Sequence, residues 1–184
     1  MRGCGWWMAV AGLAALPAWG QGDDLAQVPV QAYAAGGKVT MLQAAGGNIA
    51  ASIGPDGVLI VDDQFAPLAP KILAKIAEIG PGKLRLVLNT HWHGDHVGSN
   101  AVFGKDALIV AQENVRKRMQ AGNARMAPAV PEALPILTFD RDVTLHFNGE
   151  EIRVVHLPAG QARATRAPAS RRRPSPMVST TSRI

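Results

Sequence analysis

The stretch Leu84-Arg85-Leu86-Val87-Leu88-Asn89-Thr90-His91-Trp92-His93-Gly94-Asp95-His96 decides how this chain is read. Leu84 to Leu88 has the composition of a buried strand. Three of the five histidines in the chain then follow in a cluster. His91 and His93 are two apart, so in an extended segment both imidazoles point to the same side and can reach one metal ion. Gly94 permits a sharp turn, after which Asp95 and His96 face a second position near the first. Three imidazoles and a carboxylate suit zinc, one ion or two, with iron or manganese as alternatives. A metal held there would lower the pKa of bound water toward about 7 and polarise a bond under attack. Asp95 is the candidate catalytic residue, able to orient that water or accept its proton. The plain alternative is a chance cluster of surface histidines. Against it stands the position of the cluster at the C-terminal end of a strand, where the loops of α/β sheets gather sites.

Upstream, residues 39–44 and 48–53 read as two strands joined across Ala45-Gly46-Gly47. Gly54-Pro55-Asp56-Gly57 is turn chemistry, and Val58 to Val61 is a continuous apolar run that ends in Asp62-Asp63. Leu68, Ile72, Ile76 and Ile79 recur at helical spacing, which predicts an amphipathic helix over about 67–79 with Pro67 in its first turn. Downstream, a short helix is expected after Gly98, a third strand at Leu108-Ile109-Val110 and a short basic helix over 113–120. Residues 122–135 carry three prolines and no clear period, and read as a loop. Val143 to Phe147 and Ile152 to Leu157 flank Asn148-Gly149, the signature of a hairpin with a type I′ turn. Strand pairs followed by strands alternating with helices predict an α/β layered architecture.

These residues together resemble the metallo-β-lactamase superfamily. His91-Trp92-His93-Gly94-Asp95-His96 matches its HxHxDH motif. The buried strand ending at Asp62, the Asn89-Thr90-His91 strand end and Gly98-Ser99-Asn100 are similar to the family pattern around it. The likeness covers about residues 28–160 and is strongest to exported bacterial zinc-dependent hydrolases. It implies the N-terminal half of an αβ/βα sandwich and a small-molecule amide, ester, lactone or thioester substrate. It also implies roles by position. His91 and His93 would bind a first metal, and Asp95 and His96 a second. Asp62 would fix the histidine loop by hydrogen bonds. The alternative for Asp62 is a turn carboxylate at a strand end.

The resemblance breaks at Gln161, where the family places a third histidine, and glutamine is a poor zinc ligand beside imidazole. No Asp or Glu follows Glu151 and no His follows His156. His156 is a candidate substitute ligand, weighed against a packed strand histidine, and His146 in the facing strand is a weaker one. If the missing partners are not replaced, the chain is an inactive truncated remnant that binds metal weakly or not at all.

Composition changes at the same place. Residues 161–184 hold six arginines, no acid and no aromatic residue, which predicts a disordered basic tail. The net charge of +5 belongs to this tail, since residues 21–160 hold 12 Lys/Arg against 14 Asp/Glu. Nucleic acid is therefore not an expected partner, and Arg171-Arg172-Arg173 lacks interleaved aromatics. At the other end, residues 1–20 read as a cleaved signal peptide, with Arg2, the apolar run Trp6 to Leu16 and Ala18-Trp19-Gly20 as the cleavage site. Export to the periplasm or medium without a stable membrane anchor is expected, because spanning takes about 20 apolar residues. The domain is then 21–160. Cys4, the one cysteine, lies in the leader.

An Arg/Ala/Pro/Ser-rich tail that begins where the family pattern stops is what an out-of-frame GC-rich gene yields. Resequencing the gene should restore a family-like second half in a shifted frame; an intact frame with no such half in any reading would sink this account.

Overall fold

The computed structural model describes residues 25–124, 126–157 and 177–181. The expected leader and Cys4 lie outside them, as does Gln161. Among the described residues, ten strands form two sheets. The larger has the order β1-β2-β3-β4-β5-β6-β7, from β1 (Gln31–Gly36), β2 (Val39–Gln43), β3 (Asn48–Gly54), β4 (Gly57–Val61), β5 (Leu84–Asn89), β6 (Leu108–Gln112) and β7 (Leu137–Phe139). Pairing is antiparallel from β1 to β4 and parallel from β4 to β7. The smaller sheet has the order β10-β9-β8, from β8 (Asp142–Phe147), β9 (Glu150–Leu157) and β10 (Met177–Thr181).

The period-two alternation of strand side chains divides the core. Val58 and Ile60 of β4, Val87 of β5 and Ile109 of β6 face one side of the large sheet. There they meet Leu68, Ile72 and Ile76 of the helical segment after β4, and Phe103. Leu59, Leu88 and Val110 face the other side and pack on Phe147, Ile152 and Val154 of the small sheet. The layers are thus helix, sheet and sheet, which is the expected α/β half-sandwich. With Ile60, Ile72 and Val87 all at 0% exposure, each contributes about 1.5–3 kcal/mol of burial.

Helix α1 (Ala69–Ile79) begins two residues later than its apolar spacing suggests. Pro67 sits in a preceding 3-10 turn over Ala66–Leu68 and Pro70 takes the first turn of the helix proper. Short helices α2 (Gly94–Val97) and α3 (Asn100–Phe103) follow β5, and α4 (Glu113–Ala121) follows β6. The Gln112 side chain caps α4 by accepting from Asn114 N at 2.7 Å.

Three strands lie where the sequence suggests none. β1, Gln-Ala-Tyr-Ala-Ala-Gly, is a largely exposed edge strand without an apolar alternation, and β7 is three residues long. Both are defined by a neighbour's open edge and not by their own pattern. β10 lies within the segment expected to be unstructured over 161–184. It pairs parallel to β9, from Met177↔Arg153 to Thr181↔Leu157, and its Val-Ser-Thr-Thr run has the β-branched character that accepts such pairing. No described helix is long and apolar enough to cross a membrane.

One latch joins the two sheets. Asn148, at φ 54°, and Gly149, at φ 73°, form the expected left-handed turn. The buried Asn148 amide donates to Ser52 Oγ at 3.1 Å and to Gly57 O at 3.2 Å, and its Oδ1 accepts from Asp56 N at 3.0 Å. Asp56 Oδ2 accepts in return from Asn148 N at 2.6 Å. Asn148→Ala should lower stability by about 2–3 kcal/mol, through lost buried hydrogen bonds and a strained φ. Asn148→Gly should cost less, because it keeps the φ. Urea unfolding of the pair measures both, and equal midpoints for wild type and Asn148→Ala would refute the latch.

Candidate metal centre

The site forms where β4 and β5 both end. At the end of β4 the chain enters a left-handed conformation at Asp62, φ 63°, a region that short polar side chains tolerate. Asp62 N still donates to Leu88 O at 2.8 Å, so the strand pairing with β5 runs up to this residue. Its carboxylate, 6% exposed, then reaches across to the end of β5. Oδ1 accepts from Thr90 N at 2.8 Å, and Oδ2 accepts from the Thr90 hydroxyl at 2.7 Å and from His96 Nδ1 at 2.7 Å. Asp62, which the resemblance places beside the histidine loop, thus touches that loop at Thr90 and His96.

These bonds set the histidine tautomers. A Thr90 hydroxyl that donates to Asp62 has its lone pairs free to accept from His91 Nδ1, 3.0 Å away. His91 then presents an unprotonated Nε2. His96 donates from Nδ1 to Asp62, and its Nε2 faces Asp95. Residues 91–93 bend instead of running extended, yet His91 Nε2 and His93 Nδ1 face each other at 3.1 Å. The turn of α2 then brings Asp95 Oδ2 to 3.2 Å from His96 Nε2. The His91 and His96 rings lie 3.9 Å apart between centroids, so the two pairs adjoin.

Packing of backbone on backbone holds this loop. A Cβ at Gly98 would lie 2.5 Å from Gly94 O and 2.6 Å from Gln64 O, so only glycine allows the motif to lie against the segment after β4. Asn89 donates to His96 O at 3.1 Å and exchanges side-chain bonds with Asn100 at 3.1 and 2.9 Å. Asn100 also donates to Ala133 O at 2.8 Å. From the other side, the β2–β3 turn reaches the site. Gly46 lies against Phe65 and Asp95, and the Gln64 amide donates to Gly47 O.

Electrostatics separate the groups. Burial, with the nearby His96, lowers the pKa of His91, which favours the neutral ring whose lone pair can bind a metal. Burial also pulls His96 down, but the hydrogen bond and charge of Asp62, aided by Asp95, outweigh it and raise the net value. Burial pushes the Asp63 carboxyl well above the usual carboxylate range, with the Asp62 charge adding to it and the Ser99 N–H partly offsetting it. Asp63 Oδ1 accepts from Ser99 N at 3.0 Å, and Oδ2 is buried without a partner. Sequence reading passed over Asp63, although two consecutive acids at the end of an apolar strand are a signal that at least one is buried.

Not every candidate joins the cluster. His146 is exposed on β8 opposite Glu151. His156 sits on β9 with its N–H donating to Arg141 O at 2.8 Å and its Nδ1 buried without a partner. Among the described residues no hydrogen bond, ion pair or ring contact links it to the motif histidines.

The model of the Metallo-beta-lactamase superfamily matches residues 49–162. The chain belongs to that superfamily. No curated protein matches it. Solved structures similar to it include a metallo-beta-lactamase with a HARLDQ motif from Cronobacter sakazakii. That likeness has TM-score 0.57 and 17% identity, over 70% of this chain and 63% of that one. A subclass B3 metallo-beta-lactamase of Bradyrhizobium japonicum gives TM-score 0.54 and 19% identity, over 72% and 63%. A metallo-beta-lactamase from Novosphingobium pentaromativorans gives TM-score 0.58 and 19% identity, over 74% and 64%. The chain thus spans less than two thirds of the length of these relatives, and at such identity the likeness establishes the fold.

A superfamily member implies a metal, and the donors can be tested for fit. Two nitrogens bound to one tetrahedral zinc at about 2.0–2.1 Å lie about 3.3 Å apart. The His91–His93 separation of 3.1 Å and the Asp95–His96 separation of 3.2 Å suit two such half-sites. Among the described residues no group of three or more His, Cys, Asp or Glu side chains is gathered closely enough to enclose an ion. The fit is therefore to pairs of donors and not to complete sets. Asp62→Asn keeps the shape and the left-handed backbone but removes the charge that orients Thr90 and His96. It should weaken zinc binding about 10- to 100-fold in a chelator competition assay; unchanged affinity would show that the loop is positioned without Asp62.

Proposed function

We propose that this chain is a metal-dependent hydrolase acting on an amide, ester, lactone or thioester, with zinc as the favoured metal. The observation that carries the proposal is the pairing of His91 Nε2 with His93 Nδ1, adjoined by Asp95 and His96, at the strand ends of a superfamily fold. His91 and His93 would hold one ion, and Asp95 and His96 a second. A bound metal of this kind lowers the pKa of water toward neutrality and polarises the scissile carbonyl. The residues supply the rest. Thr90 and Asp62 hold His91 and His96 by their Nδ1 atoms, which leaves each Nε2 turned toward the cluster. The Asp95 carboxylate, 36% exposed, is open enough to orient a water and to take its proton. Residues 1–20 supply the export signal that would deliver the protein to the periplasm or medium.

A second reading is an inactive remnant. It is favoured by the absence of a three-donor group among the described residues, and by Gln161 standing where a third histidine is expected. Open two-donor sites bind metal weakly. Zinc analysis of the purified chain, with assays on a chromogenic β-lactam and a thioester, separates the two. The hydrolase reading expects one or two retained zincs per chain and turnover that His93→Ala reduces at least about 100-fold. No retained zinc and no turnover in zinc-supplemented buffer establishes the remnant.

A further inference from the structure

A groove of about 450 Å³ opens between α1, α3 and the start of β5. It lies at the end of β5 away from the motif, and the run from Leu84 to Asn89 sets it about 17 Å from the histidines. Ile76, Leu84 and Phe103, all buried in the main core, form its floor. Leu73 and Val102 stand on its walls, 39% and 36% exposed. Two cations, Lys83 and Arg85, stand at its mouth, and the pairing of β4 with β5 puts them there. Val58 pairs with Leu84 and Leu59 with Leu86, so Arg85 is an extra residue in the ladder, a β-bulge. The bulge turns Leu84 into the helical side with Val87 and leaves Arg85 exposed at the rim. The Arg85 stem lies over Gly57, where a Cβ would come within 2.7 Å of Cγ. Lys83 O accepts from Val58 N at 2.9 Å, which pins the backbone beside it. Asp106 is the one acid on the lining. Among the described residues no hydrogen bond or ion pair engages the side chains of Lys83, Arg85 or Asp106.

We propose that this groove binds a free alkyl carboxylate of about eight carbons, its chain between Leu73 and Val102 and its head group at Lys83 and Arg85. Two cations against one acid leave an excess of positive charge above an apolar floor, and an amphipathic anion matches both. Exposed ion pairs contribute little, so the chain supplies most of the affinity and the two cations select the sign of the head group. Neither the motif histidines nor a metal ion takes part, so this site stands or falls apart from the hydrolase reading.

The test is titration calorimetry of the full chain, stripped of metal by chelation and dialysis so that no carboxylate is held at the histidines. Octanoate should bind saturably with a dissociation constant below about 1 mM, and butanoate, four methylenes shorter, at least about tenfold more weakly. Octylamine has the same chain and the opposite charge, and should bind at least about fivefold more weakly than octanoate. Lys83→Ala combined with Arg85→Ala should bring octanoate and octylamine to within about twofold of each other. Ala77→Trp, on the lining at an exposed helix position, should fill the groove and weaken octanoate at least about tenfold. Val102→Asp, which sets a carboxylate inside it, should do the same and gives a second reading should Ala77→Trp fail to fold. Unsaturable octanoate binding, or equal affinity for octanoate and octylamine in the unmutated chain, overturns the proposal. Octanoate binding that survives both groove variants places the chain elsewhere, the apolar run Trp6 to Leu16 included, and overturns it too. So does a dimer in sedimentation that Val102→Asp dissociates and octanoate does not, which would assign the groove to a second copy.

Discussion

The Asp62 carboxylate is the contact on which the rest of the site depends. It lies at the end of one central strand, is almost fully buried, and accepts three hydrogen bonds from the end of the next strand and the helix turn beyond it. A buried carboxylate without such donors would be costly, and in surroundings of low polarity each bond that satisfies it is strengthened. The left-handed backbone at Asp62 is what points the side chain sideways and not along the strand. Asp63 is adjacent and more deeply buried, and burial, with the charge of Asp62, pushes its carboxyl above the usual carboxylate range.

The two sheets hold this arrangement in register. Parallel pairing of β4, β5 and β6 brings their C-terminal ends to one edge, and the apolar residues of those strands are shared between the helical side and the second sheet. Asn148 ties the far end of the second sheet to the β3–β4 turn, which fixes how one sheet sits on the other. Gly46 and Gly98 let backbone segments approach the motif from both sides, where any side chain would force them apart.

Chemically, the motif yields two pairs of inward-facing donors and a carboxylate open to solvent. That arrangement offers nitrogen and oxygen donors to a metal ion, gathered in pairs and not in groups of three or more among the described residues. Trp92 belongs to both aspects. It separates the two first-pair histidines in sequence, is anchored in a small core by α4, and turns one edge of the site into an apolar wall.

Much of this was determined by the sequence alone. The spacing of His91, His93, Asp95 and His96 after a buried strand pointed to the family, because few other arrangements use those residue types so close together. Continuous apolar runs located β4, β5 and β6, and Asn148-Gly149 located the hairpin, since only residues tolerant of positive φ make that turn. Strands β1, β7 and β10 were not legible, because an edge strand is defined by the neighbour that pairs with it. The tertiary structure alone decided the rest. It showed that Asp62 bonds to Thr90 and His96, residues 28 and 34 positions away, that Asp63 is the more deeply buried of the two acids, and that His156 stays apart from the cluster. It also brought the prolonged loop after α4 against Trp92. Those outcomes depend on which strand ends meet and which backbones touch, and residue identity along the chain carries no record of either.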